Sequence, residues 1–161
     1  MKQTLFQGDD IAKLIPQRPP IVMVSHFFGA TESEAETGLE ISAGNIFCKN
    51  NKLTEPGLIE HIAQSAAAFA GFNAIGAGQK VVLGYIGEIK KLTINSLPQV
   101  GKMIETRISI VSEVMNVLLM SARSTVDNQV VAECSIKLFM DKWFVLVIEK
   151  VSPNILIGVF Y

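Results

Sequence analysis

Residues 54–72, TEPGLIEHIAQSAAAFAGF, decide the fold. Thr54 is suited to cap a helix, and Pro56 falls near the first helical turn, where its missing N–H costs nothing. The alanine-rich stretch that follows favours a helix, and glycines mark its expected exit. The stretch therefore predicts one long helix over residues 54–72, followed by an exit at Gly71, Gly76 and Gly78.

From Leu58 to Phe72 the polar side chains of this helix are few and fall on one side. At about 100° per residue, Glu60, His61, Gln64 and Ser65 lie within an arc of roughly 140°. The remaining perimeter is apolar and carries no lysine, unlike a helix that faces solvent. We therefore expect the helix to be buried almost all round, with the four polar groups held inside the protein.

The rest of the chain is mostly β-structure. A short helix is expected before Pro16, and residues 43–52 are expected to form a polar loop. Alternating or β-branched stretches separated by turn residues predict strands at 21–28, 36–42, 81–94, 102–114, 117–126 and 129–140. One helix followed by a run of antiparallel strands indicates an α+β domain spanning residues 1–161, with its core at about 9–140. The apolar residues 141–161 are expected to form a hairpin on the sheet edge or a docked tail.

Composition limits the classes of function. The 161 residues are 49% hydrophobic and 18% charged, with a formal net charge of −1, so neither disorder nor a basic nucleic-acid-binding surface is expected. No apolar stretch approaches the roughly 20 residues that span a bilayer, and no membrane or signal segment is expected. Cys48 and Cys134 lack zinc-site spacing, and two reduced thiols in a cytoplasmic protein are the favoured interpretation over a disulfide.

The helix carries the candidate chemistry. Burial raises the pKa of a carboxylate and suits Glu60 to general acid or base work, although a first-turn acid can also simply complement the helix dipole. For His61 a structural role is favoured, and Gln64 can hydrogen-bond Glu60 or a backbone group. Gly57 at the helix start either lets a thioester carbonyl approach the free N–H groups or is an ordinary helix-start glycine.

Three stretches resemble a known family. Ile15-Pro16-Gln17-Arg18-Pro19-Pro20-Ile21-Val22-Met23-Val24 resembles the opening of the β-hydroxyacyl-acyl carrier protein dehydratases. Pro56-Gly57-Leu58-Ile59-Glu60-His61-Ile62-Ala63-Gln64 resembles their helix start and catalytic acid. The stretch from Gly84 to Leu92, with Val100-Gly101-Lys102, resembles their central strand and turn. The resemblance covers about residues 9–140.

The resemblance implies a hotdog fold, in which an antiparallel sheet wraps one long helix. It also implies a dimer or larger assembly, with an apolar acyl tunnel between subunits, acting on acyl carrier protein or coenzyme A thioesters without a metal or organic cofactor. Carried over, Glu60 is the catalytic acid and an N–H near Gly57 is the oxyanion donor. The predicted substrate-binding residues are Gly57, His61, Gln64, Asn50 and Gly84.

The chain departs from the family in the loop before the helix. The family has a histidine there, whereas residues 47–52 read FCKNNK, and the spacing from Gly57 to Glu60 is two residues shorter. Cys48, Asn50 or His61 could substitute, or a histidine-bearing hotdog subunit could supply the group. Three functions follow: dehydration of a 3-hydroxyacyl thioester, acyl-thioester hydrolysis, or a non-catalytic role in a heteromeric dehydratase.

Overall fold

The structure is a computed structural model, and it describes residues 3–79, 81 and 85–139. Its strands are β1 (Phe6–Gln7), β2 (His26–Ala30), β3 (Glu34–Glu40), β4 (Cys48–Lys49), β5 (Lys52–Leu53), β6 (Tyr85–Ile94), β7 (Met103–Val114), β8 (Val117–Val126) and β9 (Gln129–Phe139). A 3-10 helix spans Gly8–Lys13, and the long helix α1 spans Glu55–Gly76. The predictions for Gly84 and for residues 141–161 fall outside the described residues.

Seven strands form one antiparallel sheet in the order β1-β2-β3-β7-β8-β9-β6. Two-residue turns at Met115-Asn116 and Asp127-Asn128 join β7 to β8 and β8 to β9, as their spacing in the sequence predicts. Helix α1 packs on one face of this sheet against β2, β3 and β7. The α+β architecture, with a single long helix held by an antiparallel sheet, agrees with the prediction.

Helix α1 is buried as predicted, but it is longer than expected. No residue from 57 to 72 is exposed. Gly71, which we expected to mark the exit, instead lies inside the helix, because its missing side chain allows the helix to meet the backbone of Leu14. The helix ends one turn later at Gly76, where Gly78 adopts a positive φ of 66°.

Two predicted boundaries are wrong for a common reason. Residues 21–25 do not pair as a strand, since β2 begins only at His26. The polar loop at 43–52 contains a small hairpin, β4–β5, whose turn residues Asn50 and Asn51 both have positive φ. In both segments some backbone groups bond to distant partners: the Met23 N–H donates to Gln64 Oε1, and the Asn51 carbonyl accepts from the Val100 N–H. Hydrophobic alternation does not encode such partners.

Candidate functional site on the buried helix

Glu60 is a buried carboxylate with one fixed oxygen. The residue is 4% exposed, and its Oε1 accepts a hydrogen bond of 2.6 Å from Gln64 Nε2. Within the described part of the chain, no hydrogen bond reaches its second oxygen, Oε2. Burial raises the pKa of Glu60, and the hydrogen bond from Gln64 works in the opposite direction. Glu60 therefore has the environment of a proton-transfer group.

Gln64 has no donor left for a substrate. Its Nε2 donates to Glu60 and, at 2.7 Å, to the carbonyl oxygen of Ile21. Its Oε1 accepts from the N–H of Met23 at 2.6 Å. Both amide hydrogens are thus used within the chain, so Gln64 holds Glu60 and the backbone of residues 21–23 together. We assign it this supporting role in place of direct substrate binding.

His61 is equally occupied. Its Nδ1 lies 2.6 Å from the carbonyl oxygen of Met23, and its Nε2 lies 2.8 Å from Thr106 Oγ1. The side chain is fully buried, and burial lowers its pKa to about 4, against the smaller upward effect of the bond to Met23. The ring is therefore neutral at pH 7, and both nitrogens have protein partners, so the structural interpretation of His61 fits the geometry.

At the helix start, protein packs closely against Gly57. A Cβ on Gly57 would lie 2.5 Å from Phe47 Cβ and 2.7 Å from Leu53 Cδ1, so protein fills the space beside its α-carbon. Thr54 occupies the N-cap position, but its hydroxyl donates to the carbonyl of Phe47 at 2.8 Å and does not cap the helix. Close packing alone accounts for a glycine at position 57, and the oxyanion role of its N–H stays a prediction.

The candidates in the preceding loop lie apart from this network. Asn50 is exposed in the β4–β5 turn, where its φ of 51° suits an asparagine. Cys48 is half-buried, with Sγ 3.8 Å from the carbonyl oxygen of Ser42, and burial raises the pKa of its thiol. A raised pKa disfavours the reactive thiolate. Neither side chain has a hydrogen bond to Glu60 among the described residues.

Comparison with known proteins assigns the family. A family model described as ApeP-like, ApeP dehydratase, matches residues 9–146. The chain belongs to the ApeP-like dehydratase family. No curated protein sequence matches it.

Solved structures establish the hotdog-type fold. The dehydratase heterocomplex ApeI:P from Xenorhabdus doucetiae superposes with a TM-score of 0.79 at 11% identity, covering 88% of this chain and 97% of that one. An uncharacterized protein from Pyrococcus horikoshii gives 0.64 at 12% identity, covering 83% and 95%. A hypothetical thioesterase with coenzyme A from Streptococcus pneumoniae gives 0.57 at 9% identity, covering 71% and 84%. The hotdog fold implied by the sequence is confirmed.

Sequence reasoning missed the partners of the helix polar groups. Met23 and Ile21 contribute only backbone atoms, and no residue pattern signals such a role. Thr106 and Ser124 did carry a signal, because each is a polar residue at an inward-facing position of its strand. Their hydroxyls lie 2.7 Å apart and are fully buried or nearly so. A polar residue interrupting a buried apolar alternation indicates a hydrogen-bond partner inside the core.

Neither a metal-binding cluster nor a membrane-spanning helix is found in the described part of the chain. Within residues 3–79, 81 and 85–139, no cluster of three or more histidine, cysteine or acidic side chains could hold a metal ion. In the same ranges, no helix is both long and apolar enough to cross a membrane.

Proposed function

We propose that this protein is a subunit of a 3-hydroxyacyl-thioester dehydratase, and that Glu60 transfers a proton in the reaction. The observation that carries the proposal is the state of the Glu60 carboxylate. It is buried on the central helix, with Oε1 held by Gln64 and Oε2 without a hydrogen bond in the described residues. Membership of the ApeP-like dehydratase family supports the same reaction class.

The reaction needs two proton-transfer events. A base removes the α-proton of the 3-hydroxyacyl thioester, and an acid protonates the 3-hydroxyl, which leaves as water and gives the 2-enoyl thioester. Buried titratable side chains in the described ranges are Glu60, His61 and Cys134. His61 has partners on both nitrogens, and burial raises the pKa of Cys134 to about 11. Glu60 is therefore the group we assign, and it acts as acid, base or both in turn.

A second chain is the proposed source of the other group. The loop before the helix has no histidine, and the dehydratase heterocomplex ApeI:P is one of the structures this chain resembles. The helix also presents a half-buried apolar stripe, formed by Ile59, Ala63, Ala67 and Ala70. A stripe of this kind suits contact with another subunit. We propose a dimer or larger assembly, with a histidine-bearing hotdog subunit completing the site, and a carrier-protein or coenzyme A thioester as substrate.

The test compares two carboxylates on the same helix. Glu60→Gln keeps the shape of the side chain and removes proton transfer, so hydration of crotonyl thioesters should fall by roughly 100-fold or more. Glu55→Gln is the matched control, because Glu55 is an exposed acid in the first helical turn. Its activity should stay within about twofold of wild type, since only a screened surface charge changes.

Both carrier-protein and coenzyme A substrates are assayed, with the chain alone and mixed with any genomically neighbouring hotdog protein that bears the loop histidine. Light scattering reports the assembly in each mixture, and thiol release reports hydrolysis. A Glu60→Gln protein with full hydration activity in every assembly contradicts the role of Glu60. Thiol release without hydration of the enoyl thioester favours the thioesterase alternative.

A further inference from the structure

The backbone of Met23 forms hydrogen bonds with two side chains of the helix, Gln64 and His61. Its N–H donates to Gln64 Oε1, and its carbonyl oxygen accepts from His61 Nδ1, both at 2.6 Å. Met23 is fully buried and lies outside the sheet, between the 3-10 helix and β2. Its backbone is therefore positioned by the helix and not by a strand neighbour.

The backbone also fixes which way the Gln64 amide faces. The N–H of Met23 can only donate, and the carbonyl of Ile21 can only accept. Gln64 must therefore turn its oxygen towards Met23 and its nitrogen towards Ile21. The second hydrogen on that nitrogen then points at Glu60 Oε1, 2.6 Å away. A flipped amide would break all three of these bonds, because its oxygen would face the Ile21 carbonyl and Glu60 Oε1 and its nitrogen would face the Met23 N–H.

The other side of Met23 is fixed by a chain of hydroxyls. The carbonyl of Met23 requires a hydrogen on His61 Nδ1, so Nε2 of the neutral ring must accept from Thr106. The hydroxyl of Thr106 must in turn accept from Ser124, 2.7 Å away. Each donor in the series from Ser124 to Met23 is thus determined, and the ring has one tautomer.

We propose that His61 is a positioning residue, which acts through the backbone of Met23 and the amide of Gln64 to hold Glu60 for proton transfer. This inference rests on the proposed function, because it gives His61 a role in the same reaction. His61 itself does not touch the substrate in this account. Losing its bond to Met23 frees residues 21–23 to shift, and the amide that donates to Glu60 shifts with them.

Few other groups can disturb the titration of Glu60. Helix α1 packs against β2, β3 and β7, whose inward side chains in the described residues are apolar or hydroxyl-bearing. They are Phe27, Ala35, Thr37, Leu39, Ile104, Thr106 and Ile108, and none titrates near neutral pH. The titratable residue adjacent to Glu60 on α1 is His61, whose ring is neutral at pH 7. A change in the pKa of Glu60 after a substitution at His61 therefore reports the hydrogen bond from Gln64.

Two substitutions of His61 distinguish the bond of Nδ1 to Met23 from the bond of Nε2 to Thr106. Asparagine carries an N–H near the position of Nδ1, so His61→Asn can keep the bond to Met23. Glutamine reaches towards the position of Nε2, so His61→Gln keeps the Thr106 side and loses Met23. His61→Gln should lower kcat by about 10- to 100-fold with little change in KM, since a misplacement of about 1 Å can cost about 100-fold. His61→Asn and Thr106→Val both keep the Met23 bond, so each should lose clearly less activity than His61→Gln.

The pKa of Glu60 distinguishes the two roles of His61, because it would not change if His61 had a purely structural role. Losing the donor from Gln64 raises this pKa, so whichever limb of the kcat/KM pH profile Glu60 sets moves to higher pH in His61→Gln and stays in place in His61→Asn. Carbon-13 NMR of the Glu60 carboxyl follows the same change without any turnover. An unshifted carboxyl pKa in a folded His61→Gln protein overturns the proposal, as do equal losses of activity in both His61 variants with the limb unmoved.

The wild-type protein provides a measurement that no folding defect can obscure. Nitrogen-15 NMR should find the hydrogen of His61 on Nδ1, and the N–H of Met23 should exchange slowly with deuterium. A hydrogen on Nε2 instead would overturn the proposal. Glu60→Gln is measured in parallel, so that an unchanged rate there refutes the proposed function, whereas the NMR results still decide the hydrogen-bond network by itself.

Discussion

Gly71→Ala should destabilise the protein although alanine is the better helix former. An added Cβ would lie 2.0 Å from the carbonyl oxygen of Leu14 and 2.9 Å from its carbonyl carbon. An ordinary contact is 3.4 Å or more, so the helix and the Leu14 backbone must separate by over 1 Å. Both residues are buried, and a backbone atom cannot swing aside as a side chain can.

The magnitude follows from two opposing effects. Overpacking a buried contact costs about 1–3 kcal/mol, and with backbone on one side the upper part of that range applies. Helix propensity returns about 1 kcal/mol. The expected net loss is about 1–2 kcal/mol in the free energy of unfolding. Gly76→Ala, at the end of the same helix, is the control, because nothing lies within 4 Å of its added Cβ. It should gain about 0.4–1 kcal/mol.

Urea unfolding followed by circular dichroism measures both variants, at one protein concentration because assembly affects apparent stability. The two midpoints should move in opposite directions from wild type. A Gly71→Ala protein at least as stable as Gly76→Ala would refute the close approach of helix and Leu14 backbone.

The remaining predictions concern protonation and thiol reactivity. The pKa of His61 falls from 6.5 unfolded to about 4 folded, so its contribution to stability is present above pH 6.5 and lost as pH falls towards 4, by about 3 kcal/mol in total. The pKa of Glu60 is raised, so Glu60 opposes this rise of stability with pH at the low-pH end. Urea unfolding at several pH values should show that the free energy of unfolding depends less on pH in His61→Asn than in wild type. Iodoacetamide at about pH 8 should modify half-buried Cys48 before buried Cys134, whose thiol pKa of about 11 leaves little thiolate. Mass spectrometry that finds equal rates in folded protein would contradict the burial of Cys134.

The fold could be predicted because its main signals are local. The mostly apolar perimeter of the long helix predicts that it is buried. The alternation of apolar and polar residues between two-residue turns predicts β7, β8 and β9. What could not be predicted depends on distant partners. Residues 21–25 have the composition of a strand, yet the N–H and carbonyl of Met23 bond to the side chains of Gln64 and His61, which lie about 40 positions further along the chain. Gly71 is a second example: its sequence context predicts the end of the helix, whereas in the structure it lies inside the helix and packs against the backbone of Leu14.

In the candidate site, too, the sequence predicts which side chains are buried but not which hydrogen bonds each of them makes. The arc of the helix predicts four buried polar side chains, but residue type alone cannot separate those that hold the structure from Glu60, the one proposed to react. In the structure, Ser65 Oγ accepts a hydrogen bond from Thr37 Oγ1 and donates one to the carbonyl of His61. His61 and Gln64 use their polar atoms on backbone and hydroxyl partners, while Glu60 keeps one oxygen without a hydrogen bond in the described residues. A buried carboxylate is costly to desolvate, and an apolar residue there would be cheaper for stability alone. Gln64 holds one oxygen of Glu60, whereas His61 and Ser65 are used on other partners, and this arrangement supports the chemical task proposed for Glu60.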